Sequence, residues 1–81
     1  MIVTIKLFAA AREMIGEEAV SLELIEGATI AQAKQTLTLL FPQMAGLLSR
    51  SVIARDQDYA LDTDVIALGD ELALIPPVSG G

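Results

Sequence analysis

Gly69-Asp70-Glu71-Leu72-Ala73-Leu74-Ile75-Pro76-Pro77-Val78-Ser79-Gly80-Gly81 is the stretch from which the architecture can be read. Gly69-Asp70 is a turn dipeptide, and the run that follows, Glu71 to Ile75, is apolar at successive positions rather than alternate ones. Side chains of a strand point alternately to its two faces, so a run apolar on both predicts a strand at the centre of a sheet. Pro76-Pro77 cannot donate to a sheet ladder and holds the backbone stiff and extended, so the chain is expected to leave the body there. Gly80 and Gly81 carry no Cβ and could enter a channel too narrow for any other residue. Six extended residues, 76–81, reach roughly 20 Å, enough to deliver the last residue into another protein's site.

A central last strand needs neighbours, and the remainder of the chain supplies them. In Ile2 to Phe8, Val3, Ile5 and Leu7 point one way and Thr4, Lys6 and Phe8 the other, which predicts a half-buried strand. Ala9 to Ile15 reads as a short helical turn, with Gly16 placed to end it in a left-handed conformation. Glu18 to Leu24 alternates again, with Val20, Leu22 and Leu24 on one face, and predicts a strand antiparallel to the first. Thr29-Ile30-Ala31-Gln32 is a capping box, the start of a helix. The helix carries Ile30, Ala33, Leu37, Leu40 and Phe41 as its apolar stripe, Lys34, Gln35 and Thr38 toward solvent, and stops at Pro42. Gln43 to Leu48 fits neither period. Ser51 to Arg55 is β-prone, Asp56-Gln57-Asp58 is a turn, and Tyr59-Ala60-Leu61 is expected to pair back as a short edge strand. The order β, β, α, short strands, central β makes this an α+β domain.

Composition narrows the function. The chain has 81 residues, 53% of them hydrophobic, and 11 acidic side chains against 5 basic ones, a net charge of −6. That balance disfavours nucleic acid, whose phosphates it would repel, and suits a partner with a basic face. No apolar run is long enough to span a bilayer and no signal-peptide pattern opens the chain, so a cytoplasmic protein with no membrane partner is expected. With neither His nor Cys in the sequence, the usual near-neutral base, the nucleophilic thiol and the zinc site are unavailable. The remaining candidate for chemistry is the main chain. An α-carboxyl ionises near ~3.5 and is an anion at neutral pH, able to attack an activated phosphate. The acyl-adenylate so formed can be opened by sulfide to a thiocarboxylate. No Gly-rich phosphate loop is present, so the nucleotide would be bound elsewhere.

These residues resemble a known family, the small subunits of molybdopterin synthase, which carry sulfur in molybdenum-cofactor biosynthesis. The resemblance runs the length of the chain, through Phe8-Ala9, Arg12-Glu13 and Gly27-Ala28-Thr29-Ile30, and is most specific in Gly69 to Ala73 and Pro76 to Gly81. It implies a ubiquitin-like β-grasp fold over residues 1–75, a mixed sheet wrapping one main helix with its first and last strands side by side, and a flexible tail over 76–81. It also implies a mechanism. A ubiquitin-activating-type adenylyltransferase, using ATP, adenylates Gly81, a sulfurtransferase system makes the thiocarboxylate, and the tail enters the large subunit of molybdopterin synthase. Sulfur then passes to cyclic pyranopterin monophosphate, within a heterotetramer of two carriers on a dimer of large subunits. The carrier would itself be non-catalytic and bind no cofactor. Gly81 is the reacting residue, Gly80 lets the tail thread, and Pro76, Pro77, Val78 and Ser79 contact the partner. Phe8, Tyr59 and Ile75 match apolar docking positions of the family. Arg12-Glu13 reads instead as a solvated helix pair. Two departures, Arg55-Asp56 where the family often has Asn and Leu68 where it usually has an acid, leave open which large subunit is the partner or whether the chain is a paralogue. The alternatives are a carrier for thiamine thiazole or tRNA thiolation, whose relatives share the terminal Gly-Gly, or a ubiquitin-like modifier of lysines.

Overall fold

The computed structural model describes residues 1–77. Five strands form one mixed sheet: β1 (Ile2–Leu7), β2 (Ala19–Glu23), β3 (Val52–Arg55), β4 (Asp58–Tyr59) and β5 (Leu72–Ile75), in the order β2-β1-β5-β3-β4. β5 lies at the centre, as its doubly apolar sequence requires. It runs parallel to β1, with Ile5 opposite Leu72 and Leu7 opposite Leu74, and antiparallel to β3. β2 pairs antiparallel with β1 from Ile2–Glu23 to Lys6–Ala19.

Alternation then sorts the side chains. Val3, Ile5 and Leu7 are buried, as are Leu72 and Leu74, while Thr4 and Lys6 face solvent. The buried face packs against α2 (Ile30–Leu40), whose Ile30, Ala33 and Leu37 are fully enclosed. Each Leu or Ile removed from water contributes about 1.5–3 kcal/mol, so this single sheet–helix layer is the main source of stability. A sheet wrapped on one helix, first and last strands adjacent, is the β-grasp arrangement expected. No helix is long and apolar enough to cross a membrane among the described residues.

Local signals explain the element ends. α1 (Ala9–Ile15) stops at Gly16, whose φ of 81° only glycine adopts without strain. At the start of α2 the Thr29 hydroxyl accepts from the Gln32 amide at 3.3 Å and the Gln32 carboxamide accepts from the Thr29 amide at 2.8 Å. The capping box is therefore complete.

Several expectations need correction. Leu40 is 56% exposed, because the helix ends there and Met44 and Leu48, from the segment whose sequence fits no period, fill the core instead. That segment is a 3-10 turn (Pro42–Met44) followed by α3 (Ala45–Leu48). Lys34 and Thr38 are half-buried rather than solvent-facing: the Lys34 ammonium reaches Asp62 at 2.8 Å and the Thr38 hydroxyl donates to the Lys34 carbonyl at 3.0 Å. Val20 is only half-buried on its strand face. The edge strand is Asp58–Tyr59 and not 59–61, because Leu61 has already turned into the loop that crosses the N-terminus of α2.

Candidate functional site

The parallel pair β1–β5 fixes the site. Lys6 lies opposite Ala73 on this pair, and both belong to the sheet face turned away from α2. Phe8 follows directly after β1, and Ile75 ends β5 one step beyond the Leu7–Leu74 pairing, so the two large apolar residues meet at one end of the central strands. Across the sheet, Ala54 pairs with both Ala73 and Tyr59, which carries the aromatic ring to the same face. Phe8, Tyr59 and Ile75 consequently line one open hollow of about 360 Å³, floored by Ala54 and Ala73 and edged by Lys6, Gln57 and Glu71.

The resemblance marked these three residues as docking positions, and the fold places them around one hollow. Phe8 is 44% exposed and Tyr59 78%, whereas Ile75 is half-buried. The two small alanines matter because larger residues would fill the floor. The hollow's charges are internal: Lys6 Nζ lies 3.0 Å from Glu71 Oε1, with both side chains more than half exposed. Such a surface pair contributes at most about 1 kcal/mol. A second, more polar hollow of about 330 Å³ shares Lys6 and Phe8 and is edged by Arg12 and Glu18. Arg12 and Glu13 are both exposed, as expected of a solvated pair.

The hairpin joining β3 to β4 closes the opposite rim. Its two connecting residues, Asp56 and Gln57, have φ values of 50° and 75°, the left-handed pair that a tight hairpin turn demands. Asp56 ties this tip to the start of β5: its amide donates to the Glu71 carbonyl at 2.9 Å, and its carboxylate accepts from the Glu71 amide at 3.1 Å. Behind it, the Arg55 guanidinium donates to the Val65 carbonyl at 2.7 Å and lies 3.6 Å from Asp64 and from Asp70. The loop leading into β5 is thereby fastened to β3.

Pro76, expected as the first residue of the tail, is buried, and Pro77 is exposed. Pro77 is therefore where the described chain reaches the surface, beside the Phe8–Ile75 end of the hollow. Val78, Ser79, Gly80 and Gly81 lie outside the described residues. Sequence reasoning missed Gln57, Ala54 and Ala73 as parts of the site. The period-two alternation of β1 and β5 could have found Ala73 beside Lys6, but Ala54 and Gln57 depend on hairpin register, which the residues alone leave open. A larger concavity of about 560 Å³ lies on the helix side, between α2 and α3, and holds none of the candidate site residues read from the sequence.

With this geometry in hand, likeness to known proteins is specific. The ThiS family model matches residues 5–81. The molybdopterin synthase sulfur carrier subunit of Arabidopsis thaliana is 37% identical over 79 residues, which span 98% of this chain and 82% of that protein. Small archaeal modifier protein 1 of Haloferax volcanii is 33% identical over 84 residues, 94% of this chain and 97% of that one. Its crystal structure covers the whole of both chains with a TM-score of 0.86 at 30% identity. The complex of subunits 1 and 2 of molybdopterin-converting factor from Helicobacter pylori includes a chain that covers this one fully, and is itself fully covered, with a TM-score of 0.63. At 21% identity, that last likeness speaks for the fold alone. The chain belongs to the ThiS family and is related along nearly its whole length to molybdopterin synthase sulfur carrier subunits.

Proposed function

We propose that this chain is the sulfur-carrier subunit of a molybdopterin synthase, and that the Gly81 carboxylate is the group that carries the sulfur. The observation that bears most weight is the placing of Phe8, Tyr59 and Ile75 around one outward hollow at the point where the last strand gives way to Pro76-Pro77. An exposed aromatic pair beside an exit strand is a docking surface, and docking there directs the following residues into the partner.

The chemistry runs on the main chain. In an ATP-dependent, ubiquitin-activating-type adenylyltransferase, a Gly81 carboxylate oxygen attacks the α-phosphorus of ATP and pyrophosphate leaves. A sulfide sulfur, delivered by a sulfurtransferase system, then attacks the acyl carbon and expels AMP, leaving the thiocarboxylate. The loaded carrier docks on the large subunit through Phe8, Tyr59 and Ile75, and Pro76 to Gly80 lead its terminus to cyclic pyranopterin monophosphate, which takes the sulfur. Two carriers serve a dimer of large subunits in the cytoplasm. This chain positions its own carboxyl and supplies no side-chain catalyst.

Deleting Gly81 tests the reading. Sulfur transfer to the pterin in a reconstituted assay should be abolished, with the melting temperature unchanged because the residue lies beyond the buried Pro76. A truncated chain that still supports pterin sulfuration would rule the reading out. The likeness to a small archaeal modifier protein favours a second role, attachment of the terminal glycine to lysine amines of other proteins. Isopeptide-linked adducts in cell extracts would establish that role, and their absence would leave the carrier alone.

A further inference from the structure

Among the described residues, three that are not glycine have a positive φ: Ala9 at 49°, Asp56 at 50° and Gln57 at 75°. Gln57 lines the docking hollow, and Ala9 and Asp56 are sequence neighbours of residues that do. Ala9 follows Phe8, and Asp56-Gln57 form the turn on the opposite rim. Left-handed backbone strains a residue with a Cβ, least for Asn and Asp and more for a longer side chain such as Gln. Tight turns of this kind strongly favour Asn-Gly or Asp-Gly. Asp56 suits its position and has a structural task, holding the Glu71 backbone at 2.9 and 3.1 Å. Gln57 has neither excuse. Its side chain makes no hydrogen bond among the described residues, and a glycine there would relieve the strain.

Strain gathered around a binding surface is retained where it positions a group that the surface needs. We infer that Gln57 is a specificity-determining contact of the docking face, its carboxamide held at the rim of the hollow to pair with a main-chain peptide group of the large subunit. The inference rests on the docking role proposed above. Two features select a peptide group as the counterpart. The hollow's charges, Lys6 and Glu71, already satisfy each other at 3.0 Å, so no net charge is left for a charged side chain to meet. A carboxamide both donates and accepts, as a peptide group does, and the two can close a paired set of hydrogen bonds.

Gln57→Gly separates this from a turn that is merely tolerated. The variant should melt at or above the parent's temperature, because the strain is gone, yet bind the purified large subunit roughly fivefold or more weakly, the loss expected of one or two hydrogen bonds. Asp56→Asn combined with Gln57→Gly supplies the favoured turn pair and should behave alike. Parent-like affinity in Gln57→Gly, or a lowered melting temperature, would overturn the inference. Phe8→Ala distinguishes its failure from that of the docking face. If Phe8→Ala weakens binding and Gln57→Gly does not, only the role of Gln57 falls; if neither does, the docking face itself is wrong.

Discussion

Leu7 and Phe8 are consecutive, and the sheet sends them to opposite fates. Leu7 is 2% exposed in the core, whereas Phe8 is 44% exposed on the outer face. An aromatic ring left half in water contributes little to folding and much to a partner that covers it. Phe8→Ala should therefore lower stability by about 1 kcal/mol or less, in proportion to the apolar area already exposed. Its affinity for the large subunit should fall by roughly tenfold or more, the range of a docking hot spot. A binding titration set beside a thermal melt measures both. A large stability loss with intact affinity would return Phe8 to the core. Tyr59 sits on the same hollow but at its open edge, 78% exposed, so its contribution depends wholly on being covered.

Among the elements, α2 shows how much of the design is local. Its first amides are all engaged: Gln32 with the Thr29 hydroxyl, Ile30 with the Asp64 carbonyl at 3.0 Å, and Ala31 with the Asp62 carbonyl at 3.0 Å. Thr29 thus caps the helix while the 61–70 loop seals the remaining donors. Thr29→Ala should cost about 1 kcal/mol. For a domain of this size that is a drop of about 4–8 °C in melting temperature. Circular dichroism would measure it, and an unchanged melt would mean the loop alone suffices. The box was legible because Thr29 and Gln32 occupy fixed positions in the sequence. So were the strands that alternate, β1 and β2, and the central place of β5, because period and apolarity are properties of the residues themselves. Leu40 was misplaced because a stripe counted at helical spacing does not reveal that the chain turns away at Phe41. Gln43 to Leu48 resisted reading because a 3-10 turn and a four-residue helix are too short to show a period. Gln57 escaped because its importance lies in backbone conformation and hairpin register.

Across the described residues, one face of the sheet is spent on the core and the other carries the open hollow. A domain this small has a single layer to bury, so its hydrophobic side chains divide into those that stabilise and those that wait. The parallel β1–β5 pair lies in both groups. Its inner residues, Ile5, Leu7, Leu72 and Leu74, are all buried in the core, and its outer residues Lys6 and Ala73 line the hollow. The central strand thus leads straight to Pro76 and Pro77, and the Arg55 contacts to Val65, Asp64 and Asp70 hold the approach to β5 in place. On the proposed reading the body is a handle for its last residue, and the net charge of −6 suits handling by basic surfaces.

The central claim is that the Gly81 carboxyl is converted to a thiocarboxylate. Intact-mass spectrometry of the chain, incubated with its activating enzyme, ATP and a sulfur donor, tests it most directly. The account predicts a mass gain equal to the exchange of one oxygen for one sulfur, located at Gly81 by fragmentation and absent without ATP. A chain whose mass never changes under those conditions, with the activating enzyme shown to be competent, would contradict it.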